Sequence, residues 1–186
     1  SVSIPAVHVG PSSALATHLA ALLDLIPTAP TTSSLTTSTY EGTMLLEAGC
    51  SDLTLAECHV RDETPGGTLQ RGAFVAASDY FRHPIPSAGV DAMVQAVARR
   101  AASRRLGTGG VSFDVLGGAV DDLAGDATAY VHRGALFNAQ YTAGWSGGGN
   151  GPLSRNRRSL AEIRGTVHRY GTGEAYQNYA DAGLPN

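Results

Sequence analysis

The sequence predicts an α+β fold: a largely antiparallel β-sheet with helices packed on one face. Two observations carry that expectation. Amphipathic helical stripes and short strand-like runs interleave along the chain, and the strands of the second half are joined without a strong crossover helix. A third observation bears on purpose. The pattern supplies helices for one sheet face and nothing for the other, and an open sheet face usually marks an interface or a ligand surface.

The elements follow in order. Residues 4–9 mix β-branched side chains in alternation and read as a strand that ends at Gly10-Pro11. Ser12 or Ser13 then caps a helix with Leu15, Leu19, Leu22, Leu23 and Ile26 on one stripe, stopped by Pro27 and Pro30. This opening pair implies a sheet with a helix laid on it. Residues 27–39 are rich in Thr, Ser and Pro and form a loop, residues 40–48 are amphipathic again, and residues 50–67 form a surface excursion with the turn cluster Asp62-Glu63-Thr64-Pro65-Gly66-Gly67.

Residues 71–81, with Phe74, Val75, Tyr80 and Phe81, make the next strand, broken by His83-Pro84-Ile85-Pro86. Ser87 caps a helix that carries Val90, Met93, Val94, Val97 and Ala101 on one face. Near its end, Arg99, Arg100, Arg104 and Arg105 match the negative pole of the helix dipole, so they read as a solvated helix end rather than a phosphate site. A strand over 110–116 runs into Gly117-Gly118, and another over 135–141 leads to the single Trp145. Residues 146–151 are a glycine loop without the Lys-Ser/Thr of a phosphate-cradling loop, read as a mobile connection. The last helix places Leu160, Ile163, Val167 and Tyr170 on one face.

Composition narrows the function classes. The 186 residues suffice for one domain of ordinary size or two small ones. A net charge of −3 offers no basic footprint for nucleic acid, and no run of about 18 apolar residues exists for a membrane span. The first residues lack the charged and apolar regions of a signal peptide, so the chain is expected to be a soluble piece from the middle of a longer protein, cytoplasmic or secreted. All 13 basic residues are arginine, a mark of GC-rich coding. Cys50 and Cys58 are too few for a disulfide scaffold and, with His59, match no zinc spacing; they read as ordinary cysteines, free or paired with each other, and no metal site is expected.

The C-terminal segment Ala175-Tyr176-Gln177-Asn178-Tyr179-Ala180-Asp181 concentrates two phenols and two carboxamides beside a Gly-rich turn. On an extended backbone Tyr176 and Asn178 would point one way and Tyr179 the other, so the segment would grip a flat partner with one face and present a phenol from the other. The plainer reading is a terminal strand tied down by two satisfied tyrosines.

Four motifs occur in order: Phe113-Asp114-Val115-Leu116-Gly117-Gly118-Ala119, Asp126-Ala127-Thr128-Ala129-Tyr130-Val131-His132-Arg133, Phe137-Asn138-Ala139-Gln140-Tyr141-Thr142-Ala143-Gly144-Trp145 and Tyr176-Gln177-Asn178-Tyr179-Ala180-Asp181. Together they resemble the C-terminal half of berberine bridge enzyme-like FAD-linked oxidases, in the vanillyl-alcohol oxidase and p-cresol methylhydroxylase superfamily. The resemblance implies that residues 1–186 are the substrate-binding portion, with a berberine bridge-type segment from about 170 to 186. Its sheet would roof the flavin of an FAD held by a separate N-terminal FAD-binding domain, which is absent from this chain and would be its partner along with a small-molecule substrate. It implies Tyr179 as catalytic base, Gln140, Asp114 and Ser112 on the substrate, and Tyr176 and Asn178 toward the cofactor. By itself, Asp114 beside a Gly-Gly turn is as well explained by capping backbone amides. Leu116 stands where some relatives carry a second catalytic tyrosine, which favours a single-base alcohol oxidation. His132-Arg133 is shared with the family and reads as structural, the Arg tying a loop.

The expected function is therefore oxidation of an alcohol, sugar or secondary metabolite by hydride transfer to flavin in the full-length enzyme. The isolated chain is expected to hold no FAD and to be inactive. The alternative is a stand-alone ligand-binding or association module without chemistry.

Overall fold

A computed structural model describes residues 2–147 and 150–184. The chain divides into two compact units, residues 1–70 and 71–186.

The first unit holds two helices, α1 (Ser12–Asp24) and α2 (Tyr40–Glu47), followed by a loop closed by a Cys50–Cys58 disulfide. No strand forms at residues 4–9. Pro5 lacks a donor and no segment pairs with the run, so alternation without a ladder partner does not make a strand. The expected serine cap is also absent. Pro11, in extended conformation, is the N-cap, and Ser12 and Ser13 lie inside α1. Thr39 does cap α2, its hydroxyl accepting from the Gly42 amide at 3.1 Å. Past the disulfide, Val60 and Leu69 form one parallel bridge that closes the turn cluster.

The second unit is built on three antiparallel strands, β1 (Ala73–Phe81), β2 (Gly109–Val115) and β3 (Phe137–Trp145), in the spatial order β1-β3-β2. Between β1 and β2 runs α3 (Ser87–Ala102), and after β3 comes α4 (Asn150–Val167) with a single 3-10 turn at His168–Tyr170. Gly148 and Gly149, the middle of the predicted glycine loop, lie outside the described residues. Ser87 is the first residue of α3 and caps nothing, because Pro86 already turns the chain into the helix.

Period-2 alternation sorts the strands into two faces. Ala77 and Phe81 of β1 and Ala139, Tyr141 and Ala143 of β3 are buried against Met93 and Ala96 of α3 and Leu160, Ile163 and Val167 of α4. Burying each large side chain stabilises by about 1.5–3 kcal/mol. Asp79 also points to this helix face and is fully buried. Its carboxylate is held by Arg164 at 2.8 and 3.1 Å and by His168 Nδ1 at 2.7 Å. That pairing holds the Arg164 guanidinium above its ordinary pKa.

Arg100 departs from the solvated helix end read from the sequence. Arg99 is exposed and paired with Glu162 at 2.7 Å, but Arg100 is only 3 % exposed. Its Nη2 donates to Gly107 O, Thr108 O and Asn156 Oδ1, at 3.2, 2.5 and 2.9 Å, pinning the start of β2 between the helices.

Candidate functional site

The face of the sheet turned away from the helices carries two polar rungs. Register aligns Ser78 with Gln140 and Gln140 with Ser112, and, one rung on, Tyr80 with Asn138 and Asn138 with Asp114. Side chains opposite one another on neighbouring strands stand about 4.5–5.5 Å apart at Cβ. Gln140, Ser112 and Asp114, expected on the substrate, therefore share one surface, with Ser112 and Asp114 exposed and Gln140 half-buried.

The chain partly covers this face itself, which the sequence did not lead us to expect. After the 3-10 turn the backbone passes along the outer edge of β1, where Thr172 N–H donates to Tyr80 O at 2.8 Å and Tyr80 N–H to Glu174 O at 3.3 Å. It then folds onto the open face, and Tyr176 N–H donates to Ser78 Oγ at 2.9 Å. Residues 176–179 are not extended. Tyr179 N–H donates to Tyr176 O at 3.0 Å, closing a turn that brings the two rings edge to face at 4.9 Å rather than sending them apart.

The turn delivers Tyr179 to β2, where its hydroxyl donates to Asp114 Oδ2 at 2.9 Å. Asp114 thus engages a phenol across 65 residues of sequence instead of capping the Gly-Gly turn. Burial first, and the Asp114 carboxylate second, push the Tyr179 phenol up to about 12. Asn178 is exposed, and its Nδ2 donates to Tyr176 Oη at 2.9 Å.

Beneath the tail lies an aromatic group that sequence reasoning missed. Tyr80 stacks on His132 with centroids 3.9 Å apart, and Tyr130 and Tyr176 meet the Tyr80 ring edge-on at 6.4 Å. Burial pushes the Tyr80 phenol well above its ordinary range, with Tyr130 adding to the effect. The signal was present: Tyr80 lies two residues from Ser78 on an alternating strand and so shares its face. Arg133 ties this loop as expected, donating to Val120 O at 2.8 Å and to Thr128 Oγ1 at 2.7 Å, with its guanidinium over the Tyr130 ring. Among the described residues, no group of three or more His, Cys, Asp and Glu could hold a metal ion. No described helix is long and apolar enough to cross a membrane.

Three antiparallel strands backed by two helices define the class of architecture, and solved structures share that fold. A BBE-like protein from Physcomitrella patens superposes with a TM-score of 0.71 at 24% identity, covering 95% of this chain and 36% of that one. A variant of berberine bridge enzyme gives 0.72 at 16% identity, covering 96% of this chain and 34% of that one. Glycopeptide hexose oxidase complexed with teicoplanin gives 0.53 at 20% identity over 67% of this chain and 28% of its own. At these identities the likeness establishes the fold, that of berberine bridge enzyme-like structures, of whose length this chain spans about a third. No family model and no curated protein matches the chain.

Proposed function

We propose that this chain is the substrate-binding portion of an FAD-linked oxidoreductase that oxidises an alcohol, sugar or secondary metabolite. The observation that carries the reading is the Tyr179–Asp114 hydrogen bond, set beside Gln140 and Ser112 on the open sheet face. One of the neighbours is named as a glycopeptide hexose oxidase and another as a glucose oxidase, which supports a hydroxyl-bearing substrate.

The residues present fit a flat ring system. Tyr176 is half-buried, and Asn178 stays exposed with its carboxamide oxygen uncommitted, so these two would flank such a ring. FAD, when bound, supplies the acceptor for a hydride. The rest falls to this chain. Gln140 and Ser112 offer donors and acceptors that orient a substrate hydroxyl toward the Tyr179 oxygen.

A phenol pushed up to about 12 is neutral at working pH, so Tyr179 does not wait as a phenolate. It is already a donor to Asp114. The substrate hydroxyl becomes strongly acidic as its carbon loses hydride. Its proton then passes to Tyr179 Oη while the phenol's own proton passes to Asp114 Oδ2, leaving a carbonyl product, a neutral phenol and a protonated carboxyl. Such positioned proton transfer contributes typically 10²–10⁴-fold.

In the full-length enzyme, Tyr179→Phe is expected to slow flavin reduction by about 10²–10⁴-fold, followed by stopped-flow absorbance. Near-normal reduction would remove Tyr179 from the chemistry.

A further inference from the structure

The helix side of the second unit holds a separate concavity of about 260 Å³, between the C-terminal end of α3 and the middle of α4. Five arginines line it, Arg99, Arg100, Arg105, Arg155 and Arg158, against one acid, Glu162. Arg99 Nε and Nη2 occupy that acid at 3.0 and 2.7 Å, so the other four cations face no carboxylate in the cavity wall.

The helix dipoles do not account for this. Arg99 and Arg100 sit in the last turn of α3 and suit its negative pole, but Arg155 and Arg158 lie in the N-terminal half of α4, where the dipole offers a cation nothing. Arg155, Arg158 and Ser159 fall at i, i+3 and i+4 and so share one helix face, which sets like charges side by side at a cost.

The buried arginine makes the stronger case. Arg100 bonds only to neutral oxygens, and its Nε and Nη1 have no hydrogen-bond partner among the described residues. An ion removed from water without an opposite charge is strongly disfavoured. Burial accordingly pulls the Arg100 guanidinium below its ordinary pKa. An anion in the adjoining cavity would offset that cost through space, and the exposed guanidinium forks of Arg155 and Arg158 match phosphate geometry.

We propose that this concavity binds a small multivalent phosphate, free or at the end of a larger molecule, with Arg155 and Arg158 as its outer clamp, Arg105 and Ser103 on the opposite wall, and Arg100 as the buried charge behind it. The site stands apart from the Tyr179 face and does not depend on the oxidoreductase reading.

The test is calorimetric titration of the 186-residue chain with pyrophosphate, at ionic strength held constant with chloride, alongside an Arg155→Ala/Arg158→Ala double variant. An Arg61→Ala/Arg82→Ala variant, equal in charge but away from the cavity, serves as control. One site per chain is expected, weakened at least tenfold in the first variant and unchanged in the second. Both altered pairs are exposed, so thermal melting should confirm that each variant remains folded. ADP binding as tightly as pyrophosphate would identify a nucleotide's terminal phosphate as the source, and much weaker ADP binding would identify free phosphate; both support the site. No binding above the chloride background, or equal loss in the two variants, overturns it.

Discussion

The proton between Tyr179 and Asp114 sits on the phenol, and its position sets a measurable pH dependence. Free tyrosine titrates near 10. In the fold Tyr179 is raised to about 12, chiefly by burial and then by Asp114. A folded-state value above the unfolded one means that this contact adds stability fully below about pH 10, and that the gain is lost as pH rises through about 12. Asp114→Asn removes the carboxylate and leaves the burial. Tyr179 should then ionise between those limits, followed by NMR of ring-labelled tyrosine against a Tyr179→Phe reference. An unmoved titration would assign the whole effect to burial. The sequence pointed to both residues through the resemblance, yet it could not show that they touch, because a contact across 65 residues depends on the turn at 176–179. Tyr80, Tyr130 and His132 were less visible still. Alternation puts Tyr80 on the face of Ser78, but only the register of β1 with β3 shows that this is the open face, and Tyr130 and His132 reach it from a loop.

At the scale of elements, what proved legible was periodic and what did not was relational. The stripes at Leu160, Ile163 and Val167 and at Met93 marked the buried seams of α4 and α3, since a 3.6-residue repeat is fixed locally. Residues 4–9 had the alternation of a strand and found no partner, and residues 176–179 had the composition of a strand and closed a turn. Arg100 was misread for the same reason: its neighbours in sequence are solvated, and only the packing of α3 beside β2 buries it. Two adjacent glycines at the start of β2 allow a direct check. Gly109 has φ +146°, and an added Cβ would collide with the Thr142 carbonyl and come within 2.9 Å of Arg100 Nε, whereas Gly110 has open space around it. Gly109→Ala is expected to cost on the order of 2–4 kcal/mol in urea unfolding, from strain and overpacking together. Gly110→Ala should be neutral or stabilising by up to about 1 kcal/mol.

The whole chain is two units, and the proposed chemistry belongs to one of them. Among the described residues, 2–70 contain no strand-based core, and the Cys50–Cys58 bond is the covalent brace of that unit, with a sequence separation of 8. Closing so short a loop is worth about 2–3 kcal/mol on the chain-entropy account. Reduction should therefore raise amide exchange over residues 50–69 and leave β1, β2 and β3 as protected as before, read by hydrogen–deuterium exchange with and without a phosphine reductant. Loss of protection throughout both units would show that they unfold as one.

The strict alternation of β1 has a consequence for how such a molecule can change over generations. Asp79 faces inward to its arginine and histidine clasp, while Ser78 and Tyr80 on either side face the other way. Replacements at Ser112 or Gln140 can thus accumulate without disturbing the packing beneath α4, so the open face is free to vary while the interior stays under separate selection.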